Sequence, residues 1–415
     1  MNVTVIGGGI IGLCSAYSLA KAGHEVTVID SQVCGQGASR GNAGWIVPAL
    51  SAPFNSPGAI EDAIKSMFHP HGATRFQTFP HWDFLKWAAL FYRNSSRSES
   101  ATARRALLGL NAQTFDLFGS LRAEIKMEVH DDGLLLPFRT DSEIENFLVS
   151  FEKGREAGNM GKISVLGSEK LQDLEPALDP RLAGGIHLTD EKSVRPETFT
   201  AGLSAWLHNA GVKIIEHRLV HRLEQRPGGW SLETDSGRME TQQVVVAAGS
   251  ETARLLRTAG VKLLMEPGRG CSVTISGGPS LRQPIKLNEA RVACTPFEGG
   301  TRYVGTFDFA GHKRPASLRR MQSVIHEASD FIPALKELTI KKADVWSGVR
   351  TSTPDSVPYI GAVPGRNGLV VATGHGTLGL TLAPVTGDAV AMIVGNEPLP
   401  VHIRACAVDR PQVRF

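Results

Sequence analysis

The chain has few cysteines and no excess of one charge, and these absences exclude several classes of protein. Its five cysteines are widely scattered without a C-x-x-C pair, which argues against a zinc site or a disulfide framework and predicts reduced thiols. The 44 basic and 41 acidic residues leave a net charge of +3, without a basic stripe. No solenoid repeat or G-X-Y period is present. We therefore expect no metal ion and no nucleic-acid partner.

The sequence also lacks a convincing membrane-spanning segment. Residues 3–20 form an uncharged run of eighteen residues, which is close to the length of a membrane helix. Only two residues precede this run, without a basic region, and four glycines interrupt it. We therefore expect a cytoplasmic protein. Peripheral attachment at the inner face of the cytoplasmic membrane through a surface helix stays open, as does the oligomeric state.

Glycine, by contrast, is abundant. It accounts for 44 of the 415 residues, well above the ~7% of an average protein. Such an excess indicates positions where the backbone adopts a positive φ or approaches another group closely. Two short β-branched segments near the start, Val3–Ile6 and Val26–Ile29, flank a glycine cluster and a helical pattern. The cluster satisfies G-x-G-x-x-G at Gly7, Gly9 and Gly12.

This order of strand, glycines, helix and strand predicts a βαβ unit that binds a dinucleotide. Gly7 allows the tight turn, Gly9 lets the backbone approach a pyrophosphate, and Gly12 permits close packing of helix against strand. The phosphates meet the N–H groups at the positive end of the helix. Asp30, eighteen residues after Gly12, can accept hydrogen bonds from a ribose hydroxyl. NAD and FAD both satisfy this motif, because both contain an ADP half.

Further along the chain, α/β patterns alternate with segments of a different character. Residues 35–56 form a loop rich in Gly, Ser, Asn and Pro, of a length that is usually functional. Helices are predicted at Pro196–Ala210 and from Pro384 onwards, and a buried strand at Val244–Ala248. Residues 270–310 show the short strands and Gly/Pro turns of an antiparallel sheet. The predicted fold is α/β (mixed α+β), in which a Rossmann-like domain is interleaved with a domain built on an antiparallel sheet with helices.

Four segments of the sequence carry a resemblance to a known family. They are VIGGGIIGLCSAYSLAKAGHEVTVID at 5–30, VVVAAGS at 244–250, WSGVRTSTPDSVPYIG at 346–361 and TGHGTLGLTLAPVTG at 373–387. In this order, and with SRGNAG at 39–44, they resemble the FAD-dependent D-amino-acid oxidase superfamily, and within it the D-amino-acid dehydrogenase small-subunit type. The resemblance covers essentially the whole chain and implies FAD as the cofactor. Because 373–387 contains no cysteine, we expect the FAD to be bound non-covalently.

We divide the chain accordingly into two discontinuous domains. The FAD-binding domain is predicted at 1–50, 155–258 and 342–415. The substrate-binding domain is predicted at 51–154 and 259–341. We expect the ligands to lie between them, which is a preferred location for binding sites.

The resemblance also assigns the residues of the cofactor site. The ADP half of FAD is assigned to Gly7, Gly9, Ile10, Ile11, Gly12, Asp30 and Ser31. The flavin is assigned, mostly through backbone, to Ser39, Asn42, Ala43 and Gly44. Val220 is a backbone candidate near the adenine, and Ala248, Gly249 and Gly348 are assigned to the cofactor site in general. The pyrimidine edge of the flavin, where N–H donors stabilise the anionic reduced form, is assigned to Gly374, His375, Gly376, Thr377 and Leu378.

Three side chains are candidates for contact with the substrate. In the family, the arginine of a W-x-G-x-R-P element binds the substrate carboxylate. Arg350 occupies that position and also borders the cofactor, but Thr351 follows it here in place of the proline. A planar guanidinium suits a carboxylate better than an ammonium does. His375 is a candidate base because imidazole titrates near neutrality, although the family's hydride transfer requires none, which leaves a structural or flavin-edge role. Tyr303 is a candidate hydroxyl of the pocket.

The resemblance implies oxidative deamination of D-amino acids, by hydride transfer from the α-carbon to N5 of FAD. The product is an imine and then a 2-oxo acid, or a cyclic imine when the substrate is D-proline or a hydroxyproline. Electrons then pass to a quinone or another respiratory carrier. Two alternatives stay open: a glycine- or sarcosine-type amine oxidase that uses O2, and an NAD-dependent dehydrogenase or a nucleotide-binding protein without redox activity.

Overall fold

The structure is a computed structural model that describes residues 1–56, 74–76, 81–156, 161–309 and 317–414. It has a mixed α/β fold with parallel and antiparallel sheets, which confirms the predicted fold class. The described strands are β1 (Asn2–Ile6), β2 (Glu25–Ile29), β3 (Trp45–Ile46), β4 (Thr74–Phe76), β5 (Val129–His130), β6 (Leu134–Phe138), β7 (Ile163–Gly167), β8 (Gly184–Leu188), β9 (Lys192–Val194), β10 (Lys213–Ile215), β11 (Val220–Arg226), β12 (Gly229–Thr234), β13 (Gly237–Thr241), β14 (Gln243–Val246), β15 (Glu266–Ile275), β16 (Ile285–Leu287), β17 (Val292–Phe297), β18 (Gly300–Phe309), β19 (Val345–Ser352), β20 (Tyr359–Ala362) and β21 (Leu369–Thr373).

The described helices pack around these sheets. They are α1 (Ile10–Lys21), α2 (Trp82–Arg93), α3 (Arg97–Asn111), α4 (Thr114–Glu124), α5 (Asp141–Glu156), α6 (Ser168–Leu174), α7 (Pro196–Asn209), α8 (Thr252–Thr258), α9 (Leu318–Ser329), α10 (Gly379–Val394) and α11 (Val401–Arg404). Among the described residues, no helix has both the length and the apolar character needed to cross a membrane. The uncharged run at 3–20 forms β1, the glycine turn and most of α1.

The predicted βαβ unit lies at the centre of a six-stranded sheet, in the order β10-β2-β1-β14-β21-β20. All neighbouring strands in this sheet run parallel to each other except β20, which runs antiparallel to β21. Both faces are covered, so that Val3, Val5 and Val245 are fully buried in one apolar cluster, while Val244 and Val246 are buried in another. Burial on both faces explains why these strands are continuous runs of β-branched residues.

The second large sheet has the order β19-β15-β18-β17-β16-β6-β8-β7, and β4 pairs with β18. Most of its neighbours are antiparallel, as the pattern at 270–310 predicted. Three of its strands, β7, β8 and β19, lie in ranges that we assigned to the FAD-binding domain. Their hydrogen bonds therefore cross the expected boundaries, because these strands complete the antiparallel sheet instead of the nucleotide-binding one. The domain division itself stays a prediction.

Helix α10 begins earlier than predicted. The sequence placed its start at Pro384, because proline is favoured in the first helical turn. The helix instead begins at Gly379, so that Pro384 lies inside it. Proline removes one N–H donor from the helix, and the burial of flanking side chains such as Leu382 and Val385 compensates for this cost.

A buried ion pair fixes the loop after β19 to the C-terminal segment. Arg410 donates from Nε to Oδ2 of Asp355 at 2.6 Å and from NH2 to Oδ1 at 2.8 Å. Both side chains are almost completely buried. The remaining N–H groups of Arg410 donate to the carbonyl oxygens of Val357, Pro358, Cys406 and Ala407. Because Arg350 lies on the strand that leads into this loop, the ion pair supports the candidate site.

We expect Arg410→Met to lower the free energy of unfolding by about 3–5 kcal/mol, because it leaves the Asp355 carboxylate buried without its partner. Urea titration followed by tryptophan fluorescence measures this change. Arg414→Met is the matched control: its ion pair with Asp409 is exposed and contributes less than about 1 kcal/mol. Equal losses in the two variants would contradict the expectation.

Candidate active site

One cavity of about 1420 Å³ is lined by residues of both large sheets. All the predicted site residues except Gly12 and Tyr303 lie in its walls. Binding pockets for small molecules commonly measure about 300–1,000 Å³. The cavity exceeds that range, so it has room for a dinucleotide and a second, smaller ligand.

The glycine turn between β1 and α1 forms one end of this cavity. Gly7 has a φ of +111°, and a Cβ atom there would lie 2.4 Å from the carbonyl oxygen of Ala247. Gly12 does not line the cavity. A Cβ atom at Gly12 would lie 1.8 Å from the carbonyl oxygen of Gly7, so its role is the close packing of α1 against the turn.

The N-terminus of α1 faces the cavity and fits a phosphate group. Gly9 is its N-cap, the first turn contains no acidic residue, and Gly9, Ile10 and Ile11 all line the wall. Backbone N–H groups at such a terminus, together with the helix dipole, attract anions. Ser39 accepts a hydrogen bond from the N–H of Ile10 at 2.9 Å, which brings the following loop against the same end of the cavity.

Asp30 lies at the end of β2, where the motif predicted an acceptor for a ribose hydroxyl. Its Oδ2 accepts from the N–H of Gly8 at 2.6 Å, and its Oδ1 accepts from the N–H of Gln32 at 2.8 Å. Burial raises the pKa of Asp30 above its usual value, and the two backbone hydrogen bonds oppose that shift. Each oxygen retains acceptor capacity, and Asp30 and Ser31 line the cavity beside Val220, as a ribose site requires.

Residues 39–45 form a rigid loop along the cavity. The Asn42 side chain donates to the carbonyl oxygen of Ser39 at 2.7 Å and accepts from the N–H of Gly44 at 2.7 Å. Gly44 has a φ of +75°, and a Cβ atom there would lie 2.3 Å from the carbonyl oxygen of Val194. Ala43 is held by the Thr295 hydroxyl, which donates to its carbonyl oxygen at 2.8 Å.

Arg302 is a supporting residue that the sequence did not reveal. From β18 it donates to the carbonyl oxygens of Arg40 and Asn42 at 3.0 and 3.2 Å, and it forms an ion pair with Glu197. Its side chain is only 4% exposed. Arg302 and Thr295 therefore attach the loop to the second sheet. They lie about 250 residues from it in the chain, and nothing in the local sequence marks them.

The segment 374–378 closes the opposite edge of the cavity. Gly374 and Gly376 have positive φ values of +80° and +57°, and the N–H of Gly376 donates to the carbonyl oxygen of Thr351 at 2.9 Å. The N-terminus of α10 follows directly, and Leu378, Gly379 and Leu380 line the wall. A helix N-terminus at this position offers N–H donors and a positive dipole to an anionic group.

His375 is 8% exposed, and its Nε2 lies 2.9 Å from the hydroxyl oxygen of Thr386. That hydroxyl donates to the carbonyl oxygen of Leu382 at 2.8 Å, so it accepts from Nε2–H of the histidine. Burial lowers the pKa of His375 to about 3. The imidazole is therefore neutral at physiological pH, and this geometry favours the structural or flavin-edge role over that of a base.

Arg350 extends from β19 into the cavity. It pairs with Gly268 of β15, and its NH1 lies 2.6 Å from the position that a Cβ atom of Gly270 would occupy. The glycine therefore makes room for the guanidinium. Among the described residues, no carboxylate or carbonyl oxygen forms an ion pair or a hydrogen bond with Arg350. Burial lowers the pKa of Arg350, and a guanidinium in such a position favours an anionic ligand.

Tyr303 lies elsewhere. Its side chain is fully buried in the apolar cluster under β15 and β18, and Tyr303 does not line the cavity. The predicted pocket hydroxyl of Tyr303 is therefore absent from the cavity wall that the structure describes. Its neighbour in sequence, Val304, lines the wall instead, because successive side chains of a strand point to opposite faces.

Aromatic side chains form the wall that faces the second sheet. They are Trp45, Phe54, Phe84, Trp87, Phe91 and Tyr92. The rings of Trp87 and Phe91 stack with their centroids 4.9 Å apart. The Trp87 indole donates to the carbonyl oxygen of Ser352 at 2.9 Å, so α2 is attached to the strand that carries Arg350.

The sequence matches known proteins along nearly its whole length. Residues 2–393 match the family described as DAO, FAD dependent oxidoreductase. The chain is 32% identical to a D-amino acid dehydrogenase of Paramagnetospirillum magneticum, with 99% of each chain covered. It is 28% identical to a D-amino acid dehydrogenase of Vibrio vulnificus, with 96% of each covered.

Solved structures show the same fold. Glycine oxidase from Geobacillus kaustophilus superposes with a TM-score of 0.77 at 23% identity, covering 99% of this chain and 98% of that one. L-proline dehydrogenase from P. horikoshii superposes with a TM-score of 0.74 at 20% identity, covering 98% and 96%. The choice between NAD and FAD, which the glycine motif left open, is decided in favour of FAD by the family match. The chain belongs to the DAO family of FAD-dependent oxidoreductases.

Proposed function

We propose that the protein is a D-amino-acid dehydrogenase. The α-carbon of the substrate loses a hydride, the resulting imine is hydrolysed to a 2-oxo acid and ammonia, and the electrons leave to a quinone or another respiratory carrier. Oxidation of D-proline or a hydroxyproline would stop at the cyclic imine. The observation that carries the proposal is the Arg350 guanidinium, which faces the cavity without an anionic partner among the described residues. The names of the curated relatives support the same substrate class.

The residues of the chain supply binding and orientation. FAD supplies the hydride acceptor when it is bound. Arg350 binds the substrate carboxylate through two parallel hydrogen bonds, which fixes the orientation of the α-carbon. The aromatic wall, including Trp87 and Phe91, excludes water from the reacting atoms. The N–H groups of Thr377, Gly379 and Leu380, which line the cavity, would stabilise negative charge at the edge of a bound flavin.

No side chain is required as a base in this scheme. The substrate enters with a neutral amine, whose lone pair drives the departure of the hydride, and the proton is lost to solvent beforehand. His375 is neutral and bonded to Thr386, so it positions the 374–378 segment. Both curated relatives are named dehydrogenases, which supports electron transfer to a carrier other than O2.

Anaerobic mixing with amino acids tests the proposal. We expect D-amino acids to bleach the visible absorbance of the flavin, whereas their L-enantiomers leave it oxidised. A panel that includes D-proline, glycine and sarcosine defines the substrate class. Reoxidation by a soluble quinone should be faster than by O2. Peroxide formed at the rate of substrate loss would support the amine-oxidase alternative, and a flavin that no amino acid reduces would contradict both.

A further inference from the structure

Cationic side chains line the side of the cavity formed by the second sheet. They are Arg269, Lys286, Arg291 and Arg350. The carboxylates that line the cavity within the described part of the chain are Asp30 and Glu251, and both follow strands of the nucleotide-binding sheet. Arg350 and Lys286 form no ion pair with a described residue, so an amino acid with a single carboxylate neutralises only one of these two cations.

Lys286 is the least expected of these cations. It is the central residue of β16, and its neighbours Ile285 and Leu287 are fully buried in the apolar cluster behind the sheet. Alternation along the strand therefore directs Lys286 to the opposite face, where it lines the cavity. Within the described part of the chain, its ammonium has no ion pair or hydrogen bond. A lysine held in a half-buried wall without a partner favours an anionic ligand.

The sheet register places Lys286 within reach of the ligand that Arg350 holds. Lys286 pairs with Ala293, Ala293 pairs with Val304, and β18 in turn pairs with β15. Val304 pairs with Ser272, and the Arg350 guanidinium lies over Gly270, two residues away on β15. Three strand intervals of about 4.8 Å and two residues of about 3.3 Å separate the two positions, which is roughly 16 Å within the sheet. A flexible lysine stem of about 6 Å that leans towards Arg350 brings the two cationic groups to about 10 Å from each other.

A dicarboxylic amino acid of four or five carbons fits this separation. Each of its carboxylates would accept hydrogen bonds of about 2.8 Å, one set from Arg350 and the other from Lys286. We propose that Lys286 binds a second, anionic group on the substrate, so that the enzyme prefers acidic D-amino acids such as D-glutamate over their neutral analogues. The proposal rests on the proposed function and specifies the substrate class of the same site.

The test compares two substrates of nearly equal shape, D-glutamate and D-glutamine, in the holoenzyme with a soluble dye as electron acceptor. We expect the wild type to have the higher kcat/KM for D-glutamate. Lys286→Met should lower the ratio of the two kcat/KM values by about 30-fold or more, because a desolvated charge pair is lost. Lys286→Arg should restore much of the ratio. Arg238→Met, an exposed position on β13, is the control and should leave the ratio as it is.

The pH dependence of the ratio adds a second readout. Burial lowers the pKa of Lys286 to about 8, and the other charged groups that line this side of the cavity are Arg269, Arg291 and Arg350. The ammonium that attracts the second carboxylate is present below this pKa and is lost above it. The wild-type ratio should therefore fall as the pH rises from 7 to about 9.5, and the ratio of Lys286→Met should not change with pH.

A binding measurement avoids dependence on the variants. Glutarate, which has two carboxylates and no amine, should raise the melting temperature of the wild-type holoenzyme more than butyrate does at equal concentration. The proposal would be overturned by a wild type with the higher kcat/KM for D-glutamine. It would also be overturned if Lys286→Met lowered kcat/KM equally for both substrates. Equal loss would instead show that Lys286 acts on the cofactor or on the shared part of the substrate. Oxidation of neutral D-amino acids alone would overturn only this inference, whereas the absence of any flavin reduction would refute the proposed function.

Discussion

Replacing Arg350 with methionine is expected to lower kcat/KM for D-amino acids by about 10²- to 10³-fold. Methionine keeps much of the length and apolar character of the side chain but removes the charge and both hydrogen bonds to the carboxylate. Loss of one partner from a buried charge pair costs about 2–5 kcal/mol, and each 1.4 kcal/mol corresponds to about a tenfold change. Because the carboxylate fixes the α-carbon, we expect kcat to fall together with a rise in KM.

Arg350→Lys separates charge from geometry. An ammonium keeps the positive charge but loses the parallel pair of hydrogen bonds that a guanidinium forms with a carboxylate. We expect this variant to recover about tenfold of the lost kcat/KM. A lysine variant equal to the arginine enzyme would show that the charge alone is sufficient.

A substrate without a carboxylate completes the experiment. D-Alaninol lacks the group that Arg350 is proposed to bind, so wild-type activity should fall with D-alaninol about as far as Arg350→Met lowers activity with D-alanine. Combining the two changes should then produce little further loss, since both remove the same interaction. Additive losses would place the role of Arg350 elsewhere. Measuring the flavin bound per protein in each variant distinguishes substrate binding from a role in holding FAD.

The local motifs predicted which residues meet at the glycine-turn end of the cavity because the relevant interactions there are short-range. The turn at Gly7, the N-terminus of α1 and the acid at Asp30 all lie within one βαβ unit. The same explanation holds for the segment 374–378, whose positive φ values come from its own glycines. In such segments the spacing in the sequence determines the spacing of the backbone atoms that face the ligand.

The side of the cavity formed by the second sheet could not be predicted in the same way. Lys286 reaches the cavity through the register of four strands, and Tyr303 misses it because alternation in β18 directs Val304 there instead. Arg302 donates hydrogen bonds to the loop at residues 39–45, which lies about 260 residues away in the chain. The predicted start of α10 was wrong for a related reason. The burial of the whole helix, which tertiary packing determines, outweighs the local preference of Pro384 for a first turn.

Gly12→Ala is expected to lower retention of FAD by at least about tenfold, even though Gly12 does not line the cavity. The added Cβ atom would lie 1.8 Å from the carbonyl oxygen of Gly7, whereas contacts under 3.0 Å are essentially never observed for real Cβ atoms. The obstacle is backbone, so a change of rotamer does not relieve it. Either α1 moves away from the turn or the Gly7 peptide rotates, and both displace the N–H groups that we expect to meet the pyrophosphate.

Gly119→Ala is the matched control, because Gly119 also lies within a helix, α4, and an added Cβ atom there meets nothing within 4 Å. Alanine at an exposed helical position is expected to stabilise the protein by about 0.5–1 kcal/mol. Flavin absorbance per protein should fall at least about tenfold in Gly12→Ala and stay at the wild-type level in Gly119→Ala, since overpacking against backbone costs about 1–3 kcal/mol or more. Added FAD should raise the melting temperature of wild-type apoprotein but not that of Gly12→Ala. If Gly12→Ala retained its flavin, the turn would have enough freedom to accept a side chain, and the close contact between α1 and Gly7 would not be what positions the phosphate-binding N–H groups.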